Sequence, residues 1–150
     1  MSQGFDNLRY IHGEAREIVG FYDKVSHLEM DAEDVMSFVV RMANGILVQL
    51  YSDFFQRPSR NQSHIAGENG SIDLVLAENK IKIYDEIKKK CVEIKYNFDI
   101  EQMYVDELKH YFECVRNHKT PIIDIRDQKK TLELALAAKQ SCDKKKVMEL

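Results

Sequence analysis

Apolar and polar residues alternate with period two through much of the first two thirds of this chain, and the period lengthens to that of a helix in the last third. Phe5, Leu8 and Ile11 come first, spaced to lie on one side of a short helix already under way at Met1, with Gly13 placed to end it. Residues 17–22 form a β-rich run, and a polar connector around 27–33 follows. Residues 35–42 and 46–54 are strands joined through Ala43, Asn44 and Gly45, because Asn-Gly accepts the positive φ of a tight hairpin. The segment 56–61, with Pro58, Arg57 and Arg60, is a loop. Strands at 72–76, 81–84 and 91–96 are separated by turns at 77–80 and around Lys88, Lys89 and Lys90.

A helix is predicted over about 100–117, with Ile100, Tyr104, Leu108, Tyr111, Phe112 and Val115 along one face. Thr120-Pro121 interrupts, and Asp124 is placed to cap a second helix with Asp127 in its first turn. Leu132, Leu134, Ala135, Leu136, Ala138 and Cys142 run along that helix, and 147–150 is expected to close as an edge strand. Short links cannot make parallel crossovers, so the sheet must be largely antiparallel. The predicted fold is α+β: an open, mostly antiparallel sheet of about 6–7 strands, helices packed on one face, the other face free for oligomerisation. Ile46, Val48 and Leu50 should point to the helices, while Leu47, Gln49, Tyr51 and Asp53 point away. Val39, Arg41 and Tyr84 are further candidates for that outward face, whose mixed, tyrosine-bearing character fits another protein surface.

At 150 residues the chain is expected to be one domain, 1–150. A net charge of -3 gives no reason to expect a nucleic-acid partner, whose phosphates call for a clustered basic surface. No apolar run approaches a membrane span and no signal peptide opens the chain, so a cytoplasmic location is expected. Cys91, Cys114 and Cys142 are odd in number and widely spaced, which favours buried, reduced thiols.

The stretch 64–76 holds Gly67-Glu68-Asn69-Gly70. A dinucleotide fingerprint needs three glycines between a strand and a helix, but Ile72, Leu74 and Leu76 continue here at period two. A tight hairpin is therefore expected rather than a phosphate loop. His12, His27, His64, His110 and His118 make no metal-binding spacing, and the carboxylates Glu29, Asp31, Glu33 and Asp34 match no calcium loop. No cofactor and no metal is expected on this chain. Arg57 and Arg60 are candidate contacts for an anionic or sugar ligand, against a solvated turn.

Together, Asp6, Arg9-Tyr10-Ile11, Gly13-Glu14, Asp34, Asn44-Gly45, the 65–72 hairpin, Tyr104, Glu107-Leu108, Tyr111-Phe112, the 132–138 run and Ser141 resemble the C-terminal domain of the Gfo/Idh/MocA oxidoreductases, the family of glucose–fructose oxidoreductase and inositol dehydrogenase. The resemblance implies the second half of an enzyme whose N-terminal Rossmann domain binds NAD or NADP and whose substrate is a sugar or polyol. This half would line the substrate pocket, pair with copies of itself through the open sheet, and be silent alone. The sequence contains no Gly-x-Gly-x-x-Gly, and the family's catalytic lysine belongs to the Rossmann half. Asp6 matches the final Asp of the family's His-x-x-Asp motif, but Gln3 stands at the histidine position, and glutamine cannot shuttle a proton. The resemblance thus implies substrate contacts from Gln3 and Asp6, beside the loop candidates Arg57 and Arg60, and no catalytic residue here. The alternative is a stand-alone, non-enzymatic dimerisation or interaction module.

Overall fold

A computed structural model of the chain describes residues 2–150; the expected helical state of Met1 lies outside the described residues. The elements are α1 (Ser2–His12), β1 (Ala15–Asp23), β2 (Val35–Met42), β3 (Leu47–Asp53), β4 (Gln62–Gly67), β5 (Gly70–Val75), β6 (Lys80–Asp85), β7 (Lys90–Lys95), α2 (Ile100–Asn117), α3 (Ile125–Lys144) and β8 (Met148–Glu149). The fold is α+β with antiparallel strands, as the alternation predicts. The eight strands divide into two four-stranded sheets, ordered β3-β2-β1-β8 and β4-β5-β6-β7. The chain separates correspondingly into two compact units, one holding everything up to Phe55 together with Thr120–Leu150, the other Gln56–Lys119.

In the first unit the pleat sorts side chains cleanly. Met36, Phe38, Val40 and Met42 of β2 are buried, and Val48 and Leu50 of β3 and Ile18 of β1 join them from paired positions. Phe5 and Leu8 of α1 and Leu134, Ala137 and Ala138 of α3 cover that face. The alanines let α3 lie close to β1, where Cys142 donates its thiol to the Gly20 carbonyl at 3.4 Å. Gly20 itself is required by packing, since a Cβ there would stand 2.2 Å from the Ser37 carbonyl oxygen and 2.4 Å from the Phe38 ring. Leu47, Gln49 and Tyr51 turn away from the core as expected, with Val39 and Arg41 beside them in register. Ile46 does not point inward: it sits in the turn before β3 and is exposed. β8 pairs with β1 as the expected edge strand.

Helix α1 ends where Gly13 adopts φ +89° and its N–H returns to the Arg9 carbonyl at 2.8 Å. Ile11 is exposed rather than part of the buried stripe, and Arg9 takes a place in the interior. Asp124 caps α3, accepting from the backbone N–H of Arg126 and of Asp127, each at 2.9 Å. The buried face of α3 runs through Thr131, Leu134, Ala138 and Ser141. Leu132 and Leu136, expected on that stripe, are 59% and 51% exposed, because they lie about a third of a turn or more round the helix from its centre.

The second unit is a meander. The 64–76 stretch is the expected hairpin, with Gly67 and Gly70 as its closing pair and Glu68-Asn69 as the loop. Gly70 adopts φ +151°, and a Cβ on it would lie 1.9 Å from the Tyr84 carbonyl oxygen of the next strand. Its absent side chain thus lets β6 pair alongside. The rows Ile65–Ile72–Ile83–Val92 and Leu74–Ile81–Ile94 make one apolar face, while His64–Asp73–Lys82–Glu93 makes a charged row on the other. Tyr84 is on that second face, in a different sheet from Val39 and Arg41. Helix α2 spans the expected residues and is capped by Asp99. Its expected inner stripe, Ile100, Tyr104, Leu108, Tyr111, Phe112 and Val115, is more than half exposed throughout; the buried position is Cys114. Of the three thiols expected to be buried, Cys91 is exposed on β7. No helix among the described residues is long and apolar enough to cross a membrane.

Candidate functional site

The strongest concentration of polar chemistry lies where α1 meets the first turns of α3. Asp6 and Arg9 are three residues apart on α1 and Asp127 and Thr131 four apart on α3, so each pair shares a helix face. Arg9 is 7% exposed and spends its guanidinium fully. Nε and Nη2 donate to the two Glu14 carboxylate oxygens at 3.2 Å each, Nη2 also donates to Asp127 Oδ1 at 2.8 Å, and Nη1 donates to the Asp127 carbonyl at 3.0 Å. Nη1 further donates to Thr131 Oγ1 at 2.6 Å. Burial opposes the charge on Arg9, but the bonds to Glu14 and Asp127 outweigh it and raise the guanidinium pKa above its ordinary value. Glu14 is held below the usual carboxylate range by Arg9 and by Lys130, whose Nζ reaches Oε1 at 2.8 Å.

Asp6 hangs on this cluster through one oxygen. Its Oδ1 accepts from Thr131 Oγ1 at 3.0 Å and from Gln128 Nε2 at 3.1 Å. Gln3 lies one turn earlier on α1 and is exposed. The structure therefore brings Gln3 and Asp6 onto one helix. Arg57 and Arg60 belong to the loop that opens the second unit; both are exposed, and Arg57 Nη1 donates to the Gln56 carbonyl at 2.9 Å. Sequence reasoning missed Gln128 and Thr131, which touch Asp6 across more than a hundred residues. The available signal was an arginine three residues after Asp6 on the face that also carries Phe5 and Leu8, since a buried guanidinium demands acceptors from elsewhere.

Other candidates resolve differently. Asp34 is buried and serves its own loop, accepting from the backbone N–H of Val25 at 2.8 Å and of Ser26 at 2.9 Å. His64 bonds Asp73 at 2.6 Å on an exposed strand face, and His110 lies 3.6 Å from Cys114 Sγ within α2. No group of three or more His, Cys, Asp or Glu side chains among the described residues is arranged to hold a metal.

Residues 3–73 match the family model described as the GFO/IDH/MocA C-terminal domain. No curated protein matches the chain. Among solved structures, levoglucosan dehydrogenase in complex with NADH superimposes with a TM-score of 0.84 at 13% identity, over 99% of this chain and 48% of its own. An oxidoreductase from Agrobacterium radiobacter in complex with NAD+, L-tartaric acid and magnesium gives 0.83 at 14% identity, over 97% of this chain and 46% of its own. Aldose–aldose oxidoreductase from Caulobacter crescentus, complexed with glycerol, gives 0.81 at 16%, over 99% and 45%. The chain thus spans less than half the length of each. Residues 3–73 are thus similar in sequence to a GFO/IDH/MocA C-terminal domain, and nearly the whole chain shares the fold of a part of each of these oxidoreductases.

Proposed function

We propose that this chain is the substrate-binding and oligomerisation portion of an NAD(P)-dependent oxidoreductase acting on a sugar or polyol, and that it is not catalytic alone. The observation that carries the reading is the likeness, over 97–99% of its length, to less than half of proteins described with NADH or NAD+ and, in one case, with the polyol glycerol. In such an enzyme the cofactor would sit on a Rossmann domain, and Asp6 and Gln3 on α1 would face the substrate. Gln3 offers an amide that accepts and donates hydrogen bonds but transfers no proton at neutral pH. The acid/base group must therefore come from elsewhere. Arg57 and Arg60, on the second unit, are separate candidate donors to an anionic or sugar ligand.

The oligomer role rests on the outward face of the first sheet. Phe21, Val39, Leu47 and Tyr51 are exposed there, and the Arg41–Glu17 ion pair at 3.1 Å lies among them. An apolar centre with a polar rim is the usual anatomy of a surface that meets another protein. A copy of the same chain is the partner proposed. The same face, together with Gln3, supports the alternative of a stand-alone interaction module. Titrating the chain with NADH and NADPH tests the main reading: no binding is expected, and clear micromolar binding counts against it. The DNA upstream of codon 1 separates the two readings, an in-frame Rossmann segment supporting the enzyme and its absence the module.

A further inference from the structure

The hydroxyl of Thr131 has both of its hydrogen bonds fixed in direction. A guanidinium has no lone pair to offer, so at 2.6 Å Arg9 Nη1 must donate and Thr131 Oγ1 accept. The one hydroxyl proton is then left for Asp6 Oδ1, 3.0 Å away. Thr131 is 2% exposed, so water does not compete for this bond. Gln128 Nε2 donates to the same Oδ1 from the solvent side at 3.1 Å. Both anchors thus converge on one oxygen, and no donor among the described residues is bonded to Oδ2. Arg9 directs its own charge at Glu14 and Asp127 and reaches Asp6 only through the neutral hydroxyl. Asp6 is therefore oriented without being paired to a cation.

We propose that Thr131 is a positioning residue: its hydroxyl, aligned by Arg9, holds the Asp6 carboxylate in one rotamer with Oδ2 left to accept a hydrogen bond from a hydroxyl of a sugar or polyol. This rests on the reading that Asp6 belongs to the substrate surface. A carboxylate oxygen only accepts, so the group it selects must donate; a neutral polyol fits, and the carboxylate of a sugar acid is repelled.

The test is side-chain NMR of Asp6 in the full chain, reading its χ1 couplings in the wild type, Thr131→Val and Thr131→Ser. The wild type is expected to show one rotamer. Val keeps the shape but removes the hydroxyl, so Asp6 should average over rotamers while the dispersion of the core methyls stays unchanged. Ser should restore the single rotamer. A single rotamer in the Val variant, or averaging in the wild type, overturns the positioning role. If the Val variant does not fold, Gln128→Ala decides: Thr131 alone must hold Asp6, and averaging there overturns it. A titration with myo-inositol follows the Asp6 carboxyl carbon, with a shift expected in the wild type and its loss in the Val variant. A fixed Asp6 whose carboxyl ignores inositol overturns the substrate reading while leaving the Thr131 anchor standing.

Discussion

Ser26 and Asp34, eight residues apart, are joined twice at a single oxygen: the Ser26 backbone N–H donates to Asp34 Oδ2 at 2.9 Å, and its hydroxyl donates to the same atom. Val25 N–H takes the other carboxylate oxygen at 2.8 Å, and Lys24 Nζ stands 3.6 Å away. The Asp34 carboxylate thus ties the start of the β1–β2 connector to the residue before β2. The Asp34 carbonyl in turn accepts from Phe54 N–H at 3.0 Å, just beyond β3. Lys24 Nζ adds bonds to the Ser26 and Leu28 carbonyls at 3.3 and 2.5 Å, so this acid and its neighbouring lysine together hold the connector.

Burial works against the Asp34 charge, but the bonds from Ser26 and Val25 and the nearby Lys24 prevail and bring its pKa down to about 2. An unfolded aspartate titrates near ~3.9. The folded value is the lower, so this carboxylate's stabilisation is fully present above about pH 4 and is lost as pH falls toward about 2. Asp34→Asn should flatten that part of the acid unfolding limb and lower stability at pH 7. Hydrogen exchange at Val25 and Ser26 should quicken in the variant. Urea titrations of both proteins at pH 7, 4 and 2.5 check this; parallel pH dependences would show that the clamp does not carry the acid sensitivity.

Gly67 and Gly70 look alike in sequence and should behave differently. A Cβ at Gly67 meets only the Gly70 carbonyl oxygen at 3.7 Å, an ordinary contact. One at Gly70 would overlap the Tyr84 carbonyl at 1.9 Å, on a backbone with φ +151°. Gly67→Ala should therefore change stability by no more than about 0.5 kcal/mol. Gly70→Ala should cost on the order of 2–4 kcal/mol, combining backbone strain with displacement of a paired strand. Chemical denaturation of both variants reads the contrast, and equal losses would refute the assignment of the tight position to Gly70.

The strands and hairpins were legible because their signals are local. Period-two alternation placed Val48 and Leu50 against the core and Leu47 and Tyr51 outside, and Asn44-Gly45 set the turn between β2 and β3. Helix faces were less legible. An amphipathic stripe tells that a helix has something to bury but not how far round the buried arc extends, and on α3 it runs through Thr131 and Ser141 rather than Leu132 and Leu136. On α2 the stripe was legible and its exposure was not. The Asp6 anchor was hidden for a different reason: Thr131 is 125 residues away, and only the folded chain brings the two together.

That helix arc has a measurable consequence. Leu134 is 1% exposed and packs in the cluster with Phe5, Phe38 and Ile18, so Leu134→Ala should cost about 2–5 kcal/mol through lost burial and the cavity it leaves. Leu132→Ala and Leu136→Ala remove side chains that are more than half exposed and should each stay within about 1 kcal/mol. Thermal unfolding of the three variants ranks them. A Leu132 effect as large as that of Leu134 would mean that α3 is rotated from the position described.

The outer face of the first sheet gives the last prediction. Tyr51 pairs in register with Ser37, Val39 with Gln49 and Leu47 with Arg41 on the same face, so Tyr51 and Leu47 flank Val39 there with Arg41 at one edge. Tyr51 is 56% exposed, and an aspartate there fits a solvated strand but not the apolar centre of an interface. If two copies meet through this face, burying one unpaired carboxylate from each would cost several kcal/mol of association free energy. Tyr51→Asp should then shift the chain from dimer to monomer in sedimentation at tens of micromolar, with its thermal unfolding little changed once the dimer contribution is removed. Leu47→Asp should act in the same direction. A wild-type chain that sediments as a monomer at that concentration would remove self-association through this face from the proposed function.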